Sequence, residues 1–236
     1  MPLAIVIDGA YFLRRFPYSF PDLDPKSPSD ICLGVSQLAF YYTSLRDNPF
    51  PTVHVFETNH LYRILFYDCP PLEKRLHYPV SGKIYDLKNT ENAILRREIH
   101  KSLNRLRKVA LRLGRLNENF SGWRPKPDSV KRWLEQPSLF KPCDDDFEVD
   151  VVQKGVDMRL GLDIAAMSFK KQVDQIVLVA GDADFVPVAK LARREGIDVI
   201  LEPMWGHAPK DLLDNVDGVK NFKLKGRPHL SDEQEV

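Results

Sequence analysis

Aspartates follow two strongly apolar stretches, at positions where their carboxylates could share a metal ion. The run Leu3–Ile7 leads into Asp8 in the string IDGA, and the run Ile176–Ala180 leads into Asp182 and Asp184 in the string GDADF. Open α/β sheets bind ligands beyond the carboxyl ends of their strands. If both runs are parallel strands, the three carboxylates meet at one edge of a sheet.

Two further acids lie between these runs, in the string KGVDMRLGLDIAAM. Asp157 stands near the start of a predicted helix, where aspartate often serves as the N-cap. Asp163 has mainly apolar neighbours along the chain, so its carboxylate must be neutral, paired or bound to a metal.

Several carboxylates in one place repel each other, and a divalent cation removes that penalty. Oxygen ligands favour Mg²⁺ or Mn²⁺ over zinc. Such an ion can activate water for attack on a phosphodiester. The residues alone therefore favour metal-dependent phosphodiester hydrolysis.

Each acid also has a purely structural interpretation. Asp8 and Asp182 could bond backbone N–H groups at the ends of their strands, and Asp184 could cap the helix that follows. We expect Gly9 and Gly181 to allow sharp turns and to leave room for a ligand.

Apolar runs alternate with helical patterns, which predicts an α/β fold: a Rossmann-like, three-layer α/β/α domain with a mostly parallel central sheet. The predicted strands are 3–7, 52–56, 62–67, 176–180 and 198–201, with a shorter extended segment at 147–152. The predicted helices are 32–46, 91–116, 156–170, 185–195 and 210–216. We expect one domain over 1–225 with a helical insertion at about 70–145, loops at 17–28, 70–88 and 122–142, and a flexible tail at 226–236.

Basic residues concentrate in the predicted helix 91–116. Between Leu95 and Leu116 there are eight Lys or Arg residues and one acid, Glu98. This helix could be a solvated face, or Arg105 and Arg112 could contact an RNA backbone. Aromatic side chains near it are core residues or platforms on which bases stack: Tyr78, Tyr85, Trp123 and Trp133.

Composition limits the class of protein but not its activity. The 236 residues carry a net charge of +1, so no global charge points to nucleic acid. The three cysteines, Cys32, Cys69 and Cys143, lack zinc-like spacing and favour a reduced, cytoplasmic setting. No apolar stretch approaches the roughly 20 residues of a membrane span. The glycine pattern of dinucleotide-binding dehydrogenases is missing from IDGAYF and GDADFV.

The strings IDGAYF, RILFYDCPP, KGVDMRLGLDIAAMS, DQIVLVAGDADFVPVAKLARREGIDVIL and APKDLLDNVDG resemble the NYN domain family, in particular its LabA-like branch. The resemblance covers both halves of the chain and leaves mainly the insertion unmatched. It implies a fold similar to PIN domains and a ribonuclease that depends on Mg²⁺ or Mn²⁺.

The resemblance also implies roles for individual residues. Asp8, Asp157, Asp163 and Asp182 match the family's catalytic and metal-binding acids, Asp184 matches a further acid, and Lys154 matches a lysine that could touch phosphate. The sequence departs from the family at Tyr11, where many relatives carry Asn.

Two alternatives remain open. A phosphatase of the haloacid dehalogenase type also uses a strand-end aspartate, but its nucleophilic Asp would fall on Val6. An RNA-binding module that has lost catalysis would keep the fold, although retained acids argue against it. The sequence leaves open whether the chain forms a homodimer.

Overall fold

The structure, a computed structural model, describes residues 2–47, 60–116, 122–150 and 153–222. The strands, in chain order, are β1 (Leu3–Asp8), β2 (Leu61–Asp68), β3 (Arg75–His77), β4 (Ile84–Asp86), β5 (Val109–Leu113), β6 (Arg115–Leu116), β7 (Gly122–Pro125), β8 (Phe147–Asp150), β9 (Gln153–Lys154), β10 (Gln175–Val179), β11 (Asp198–Glu202) and β12 (Gly218–Val219). The helices are α1 (Gly9–Ser19), α2 (Pro28–Asp47), α3 (Glu91–Leu103), α4 (Pro127–Glu135), α5 (Val156–Phe169), α6 (Val186–Arg194) and α7 (Lys210–Leu213). Short 3-10 turns lie at Leu87–Asn89, Asp144–Asp146 and Ala183–Phe185.

Six parallel strands form the central sheet, in the order β12-β11-β10-β1-β2-β5. Strand β1 lies in the middle of the sheet, and its apolar side chains are fully buried on both faces. Nearly continuous apolar sequence is what a strand covered on both faces requires. Ile5 and Ile7 pack with α1, α2 and α3, whereas Ala4 and Val6 pack with α5 and α6. The predicted three-layer α/β/α fold with a parallel sheet is therefore confirmed.

The sheet has its topological switch point between β1 and β10. From β1 the chain proceeds outward through β2 to β5, and it later returns to β10 on the other side of β1. Parallel strands that diverge in this way leave a crevice at their carboxyl ends, where open α/β sheets bind ligands.

The single long helix predicted at 91–116 is wrong. Helix α3 ends at Leu103, and the chain then enters the sheet as the edge strand β5, paired with β2. In the string VALRL the apolar residues fit a strand period of two as well as a helical period. Lys108, with φ of 64°, lies in the turn that separates the two elements.

Other predictions on secondary structure differ in smaller ways. Helix α1 was not predicted and continues through Pro17, so the loop predicted at 17–28 is shorter. The predicted loops at 70–88 and 122–142 contain the hairpin β3–β4, strand β7 and helix α4. The strand predicted at 52–56 lies outside the described residues. The remaining predicted strands and helices are confirmed, with ends shifted by a few residues.

The segment predicted as an insertion, 70–145, contains two kinds of structure. Helix α3 and strand β5 belong to the main sheet and its covering layer. The hairpin β3–β4 and the pair β7–β8 lie outside the main sheet. The proposed domain limits stay a prediction.

Candidate metal and RNA site

Asp8 and Asp182 flank the switch point at the carboxyl edge of the sheet. Asp8 is the last residue of β1, and Asp182 follows the neighbouring strand β10 after Ala180 and Gly181. The parallel pairing of these strands brings two acids together that are far apart in sequence.

Asp8 is half-buried and caps helix α1. Its Oδ1 accepts hydrogen bonds from the backbone N–H of Ala10 at 3.0 Å and of Tyr11 at 3.2 Å. Burial raises the pKa of Asp8, and the negative charge of Asp157 raises it further, against the lowering effect of the two hydrogen bonds. The structural role predicted for Asp8 is thus confirmed, and the residue also lies in the field of a second acid.

Asp157 is the second residue of α5, after Gly155, which begins the helix with φ of +79°. It is therefore not the N-cap, although the helix terminus favours its negative charge. Its pKa is raised by partial desolvation and then by the charges of Asp184 and Asp182. Asp157 is thus the residue through which these acids are coupled electrostatically.

Asp182 and Asp184 occupy one tight turn, and both are exposed. Oδ1 of Asp182 accepts from the backbone N–H of Asp184 at 3.1 Å, so Asp182 caps the 3-10 turn Ala183–Phe185. The predicted N-cap role of Asp184 is wrong, because Phe185 holds the N-cap position of α6. The turn holds both acids towards solvent at the sheet edge.

Asp163 is half-buried and paired. Its Oδ2 accepts from the Tyr67 hydroxyl at 2.8 Å and lies 3.2 Å from Nε of Arg112. Of the three states that the sequence allowed for this carboxylate, the structure shows the paired one. Its role as a metal ligand stays a prediction.

Within the described part of the chain, no three His, Cys, Asp or Glu side chains are arranged to hold a metal ion. The donor set nevertheless fits Mg²⁺ or Mn²⁺ in its chemistry. Mg²⁺ takes one or two carboxylates and completes its shell with water and substrate phosphate. Burial is the larger cause of the raised pKa of Asp157, and the repulsion from Asp184 and Asp182 that adds to it is the penalty that a bound cation would remove.

The predicted substrate-binding residues lie in different places. Lys154 ends β9, exposed and three residues before Asp157, so it lies at the amino end of α5. Arg112 lies on β5 beside Asp163. Arg105 lies before β5, at the amino edge of the sheet and opposite the acids. The predicted helical track that joins Arg105 to Arg112 does not exist.

Arg14 is a basic residue of the site that sequence reasoning missed. It is exposed on α1, and its charge lowers the pKa of Asp8, so it lies within electrostatic range of that carboxylate. Its guanidinium lies 5.5 Å from the ring centre of Tyr11. The position of Arg14 near Asp8 could have been predicted only if helix α1 had been predicted.

Tyr11 has a packing role. Its side chain is buried, and its hydroxyl donates to the carbonyl of Pro203 at 2.6 Å. Its ring lies against Gly181, and its hydroxyl lies against Gly206. Tyr11 therefore connects the loops that follow β10 and β11.

The room that we expected beside the two glycines is filled by protein. A Cβ at Gly9 would lie 2.5 Å from the carbonyl oxygen of Tyr67 and 2.6 Å from the Phe66 ring, and a Cβ at Gly181 would collide with Tyr11. Neither glycine has a positive φ. The predicted ligand space is wrong, and both glycines serve close packing. The predicted turns are present without a left-handed backbone, since β1 passes directly into α1 at Gly9 and Gly181 precedes the turn Ala183–Phe185.

Asp68 and Glu202 are buried carboxylates that the sequence analysis did not single out. Asp68, at the end of β2, accepts from Arg96 and contacts His100, each at 2.7 Å. Glu202, at the end of β11, is fully buried and accepts from the Tyr42 hydroxyl at 2.7 Å. Both lie on the face covered by α1, α2 and α3. Asp68 connects β2 to α3, whereas Glu202 also accepts from the backbone N–H groups of Met204 and Phe222 in the loops near the site.

Comparison with known proteins gives one family. A model of the NYN domain matches residues 88–221, a range that includes Asp157 and Asp182 but not Asp8. A solved structure of a protein of unknown function from Vibrio parahaemolyticus is similar at 14% identity with a TM-score of 0.47, over 94% of this chain and 93% of that one. No curated protein matches. In the described residues no helix is long and apolar enough to cross a membrane.

Proposed function

Because the chain belongs to the NYN domain family, whose members are generally nucleases, we propose that it is a metal-dependent ribonuclease acting on single-stranded RNA. One observation carries the proposal. Asp157 lies within electrostatic range of three other acids at the switch point of the sheet. Its charge adds to burial in raising the pKa of Asp8, and the charges of Asp184 and Asp182 add to burial in raising its own pKa. A surface that gathers like charges at this position is suited to bind a cation and, through it, phosphate.

Asp8, Asp157 and Asp182 would hold Mg²⁺ or Mn²⁺, with Asp184 as a further ligand. When bound, the cation supplies an activated water and stabilises the negative charge that develops on the phosphate. The half-buried Asp8 is fixed by two backbone N–H groups, so one of its oxygens has a defined direction. The exposed turn with Asp182 and Asp184 leaves the site open to a polymer.

Basic residues around the acids would orient the RNA backbone. Lys154 lies three residues before Asp157 in the chain, and Arg14 lies within electrostatic range of Asp8. Each of these two cations would contact a phosphate of the RNA. The contacts of Asp163 favour a positioning role, because its carboxylate directs Arg112. Arg105, at the opposite edge, has no support from its position as a contact to the scissile phosphate.

The branch of the family and the type of hydrolase are proposed from sequence motifs. The GVD…LD…GDADF series supports a LabA-like branch of the family. The haloacid dehalogenase alternative receives no support, because Val6 occupies the position of its nucleophile and is fully buried in the core. The silent RNA-binding module differs from the enzyme in one property, the cleavage of RNA.

A cleavage assay tests the proposal. Purified protein should cut a labelled, unstructured RNA in the presence of Mg²⁺ or Mn²⁺, and EDTA should stop the reaction. Asp182→Asn should abolish cleavage while the circular dichroism spectrum stays unchanged. Equal cleavage by wild type and Asp182→Asn would indicate a contaminating nuclease. A parallel phosphomonoester assay should give no release of phosphate, and binding without cleavage would identify the silent module.

A further inference from the structure

A cleft of about 540 Å³ lies beside the acids, outside the set of residues that the proposed reaction uses. We call it the aromatic cleft and define it by Tyr78, Tyr85 and Trp123, with Cys69 and Pro70 also in its lining. Its volume falls in the roughly 300–1,000 Å³ range typical of small-ligand sites.

Three aromatic rings pack against one another in this cleft. The ring centres of Tyr78 and Trp123 are 4.9 Å apart with their planes at 29°, close to parallel stacking. Tyr85 lies 5.1 Å from Tyr78 and 5.6 Å from Trp123. All three residues are only half-buried, so part of the cluster remains available to a further flat ring.

The indole N–H of Trp123 is buried and has no acceptor among the described residues. A buried donor without an acceptor is costly, since it has lost water without gaining a partner. Because this N–H is closed to a water-sized atom, an acceptor on a ligand would reach it, and remove this cost, only after the indole turns towards the cleft.

The walls of the cleft are held together by hydrogen bonds. Tyr85 lies on the hairpin β3–β4, and Trp123 lies on β7, which pairs with β8. Oδ1 of Asp144, next to β8, accepts from the backbone N–H groups of Val80 and Ser81, each at 3.1 Å. The hairpin β3–β4 and the pair β7–β8 therefore form one surface.

The cleft adjoins the acid site through Cys69. A Cβ at Gly114 would lie 2.9 Å from Sγ of Cys69 and 2.6 Å from the Val156 side chain, so these two residues contact the same point. Asp157 directly follows Val156. The negative charge of Asp157 also contributes to the raised pKa of Cys69, after burial and the charge of Asp68.

The charges in the cleft select a base over a phosphate. Asp144, Asp145 and Glu148 line it and would repel a phosphate group. Two cations, Arg96 and Lys126, also line the cleft, so three acids against two bases leave its formal charge at −1. Arg96 is engaged 2.7 Å from Asp68. A neutral, flat ring with acceptor atoms fits stacking surfaces and a buried N–H donor.

We propose that the aromatic cleft binds one unpaired nucleobase of the RNA strand whose phosphodiester reaches the acids. The base stacks on an exposed ring face of Tyr78, Tyr85 or Trp123, and its phosphates stay outside. A turn of the Trp123 indole towards the base would add a hydrogen bond from the buried N–H. This inference rests on the proposed function and adds a substrate subsite to it. It predicts a preference for single strands, since a paired base cannot enter.

Fluorescence anisotropy with a short labelled RNA in EDTA tests binding apart from catalysis. Tyr85→Ala and Trp123→Ala should weaken binding about five- to hundredfold, the usual range for loss of one stacked base. Trp123→Phe keeps a ring and loses the N–H, so it should give a smaller loss. Leu134→Ala, which removes an apolar side chain that is 71% exposed on α4, is the control and should bind as wild type does.

An RNA with one abasic nucleotide provides the ligand-side test. If the cleft holds a base, wild type should lose affinity for the abasic strand, and Tyr85→Ala should lose little more. Folded cleft variants that bind intact RNA like wild type, or that weaken intact and abasic RNA equally, would overturn the inference. If the cleft variants lose binding but no protein cuts RNA, the subsite stands and the nuclease proposal fails.

Discussion

Asp163 and Arg112 form an ion pair beside the acid site, with Oδ2 of Asp163 3.2 Å from Nε of Arg112. The same oxygen accepts from Tyr67 at 2.8 Å, so one carboxylate connects α5 to β2 and β5. Both charged side chains are partly exposed, which limits the contribution of the pair to stability. The pair is better placed to orient Arg112 than to stabilise the fold.

Arg112→Ala should weaken RNA binding without unfolding the protein. We expect the free energy of unfolding to change by less than about 1 kcal/mol, since exposed ion pairs contribute little. Loss of one phosphate contact should lower the slope of log affinity against log salt by about one. Arg105→Ala is the control, because Arg105 lies at the opposite edge of the sheet. Equal effects of the two substitutions would contradict the assignment.

Gly181→Ala should disturb the site through Tyr11. The new methyl group would collide with the Tyr11 ring, and overpacking of this kind costs about 1–3 kcal/mol. Urea unfolding measures the loss, and RNA cleavage should fall with it because Asp182 is the next residue. Gly161→Ala is the control: its Cβ would meet nothing within 4 Å, and alanine should stabilise α5 by roughly 0.5–1 kcal/mol. If Gly181→Ala is as stable as wild type, the Tyr11 ring can move away from the new methyl group, and its close packing against Gly181 does not hold the site.

Glu202 should make stability depend on pH. Burial raises its pKa from 4.5 to about 7 in the folded protein, against hydrogen bonds from Tyr42, Met204 and Phe222 that lower it. Between these pKa values the unfolded state binds fewer protons than the folded state, so the free energy of unfolding falls as pH rises. Urea unfolding from about pH 5 to about pH 7 measures this decline.

Glu202→Gln removes the titrating group and should flatten the profile over that pH range. It should also lower stability by about 1–3 kcal/mol, since an amide cannot accept from all three donors. Glu135→Gln, in the exposed last turn of α4, should keep the wild-type profile. An unchanged decline in Glu202→Gln would assign the pH dependence to other groups.

Local patterns were sufficient to predict the central strands and the acids at their ends. The residues of β1 and β10 are apolar on both faces, and a strand that leads into Asp8 or Asp182 places a carboxylate at the sheet edge. The order of the strands, which brings β1 next to β10, depends on contacts between distant parts of the chain. Sequence alone predicted that the acids lie at one edge of the sheet. It did not predict that Asp157 is the acid whose pKa responds to the charges of Asp182 and Asp184.

The errors have identifiable physical causes. Residues 103–113 fit a helical period and a strand period, and only pairing with β2 decides for the strand β5. Pro17 suggested a loop, yet α1 tolerates it near its end. The partners of Glu202 could not be predicted, because Tyr42 lies 160 residues away in sequence. The function of Tyr11 likewise depends on the distant carbonyl of Pro203.

Binding of Mn²⁺, followed by the electron paramagnetic resonance signal of the free ion, tests the central claim most directly. The account predicts that wild-type protein removes the free-ion signal on titration and that Asp157→Asn and Asp182→Asn, still folded, bind far more weakly. Asp128→Asn, on α4 outside the site, should bind as wild type does. Failure of wild type to bind Mn²⁺, or equal binding by wild type and Asp157→Asn, would contradict the claim that these carboxylates share one cation.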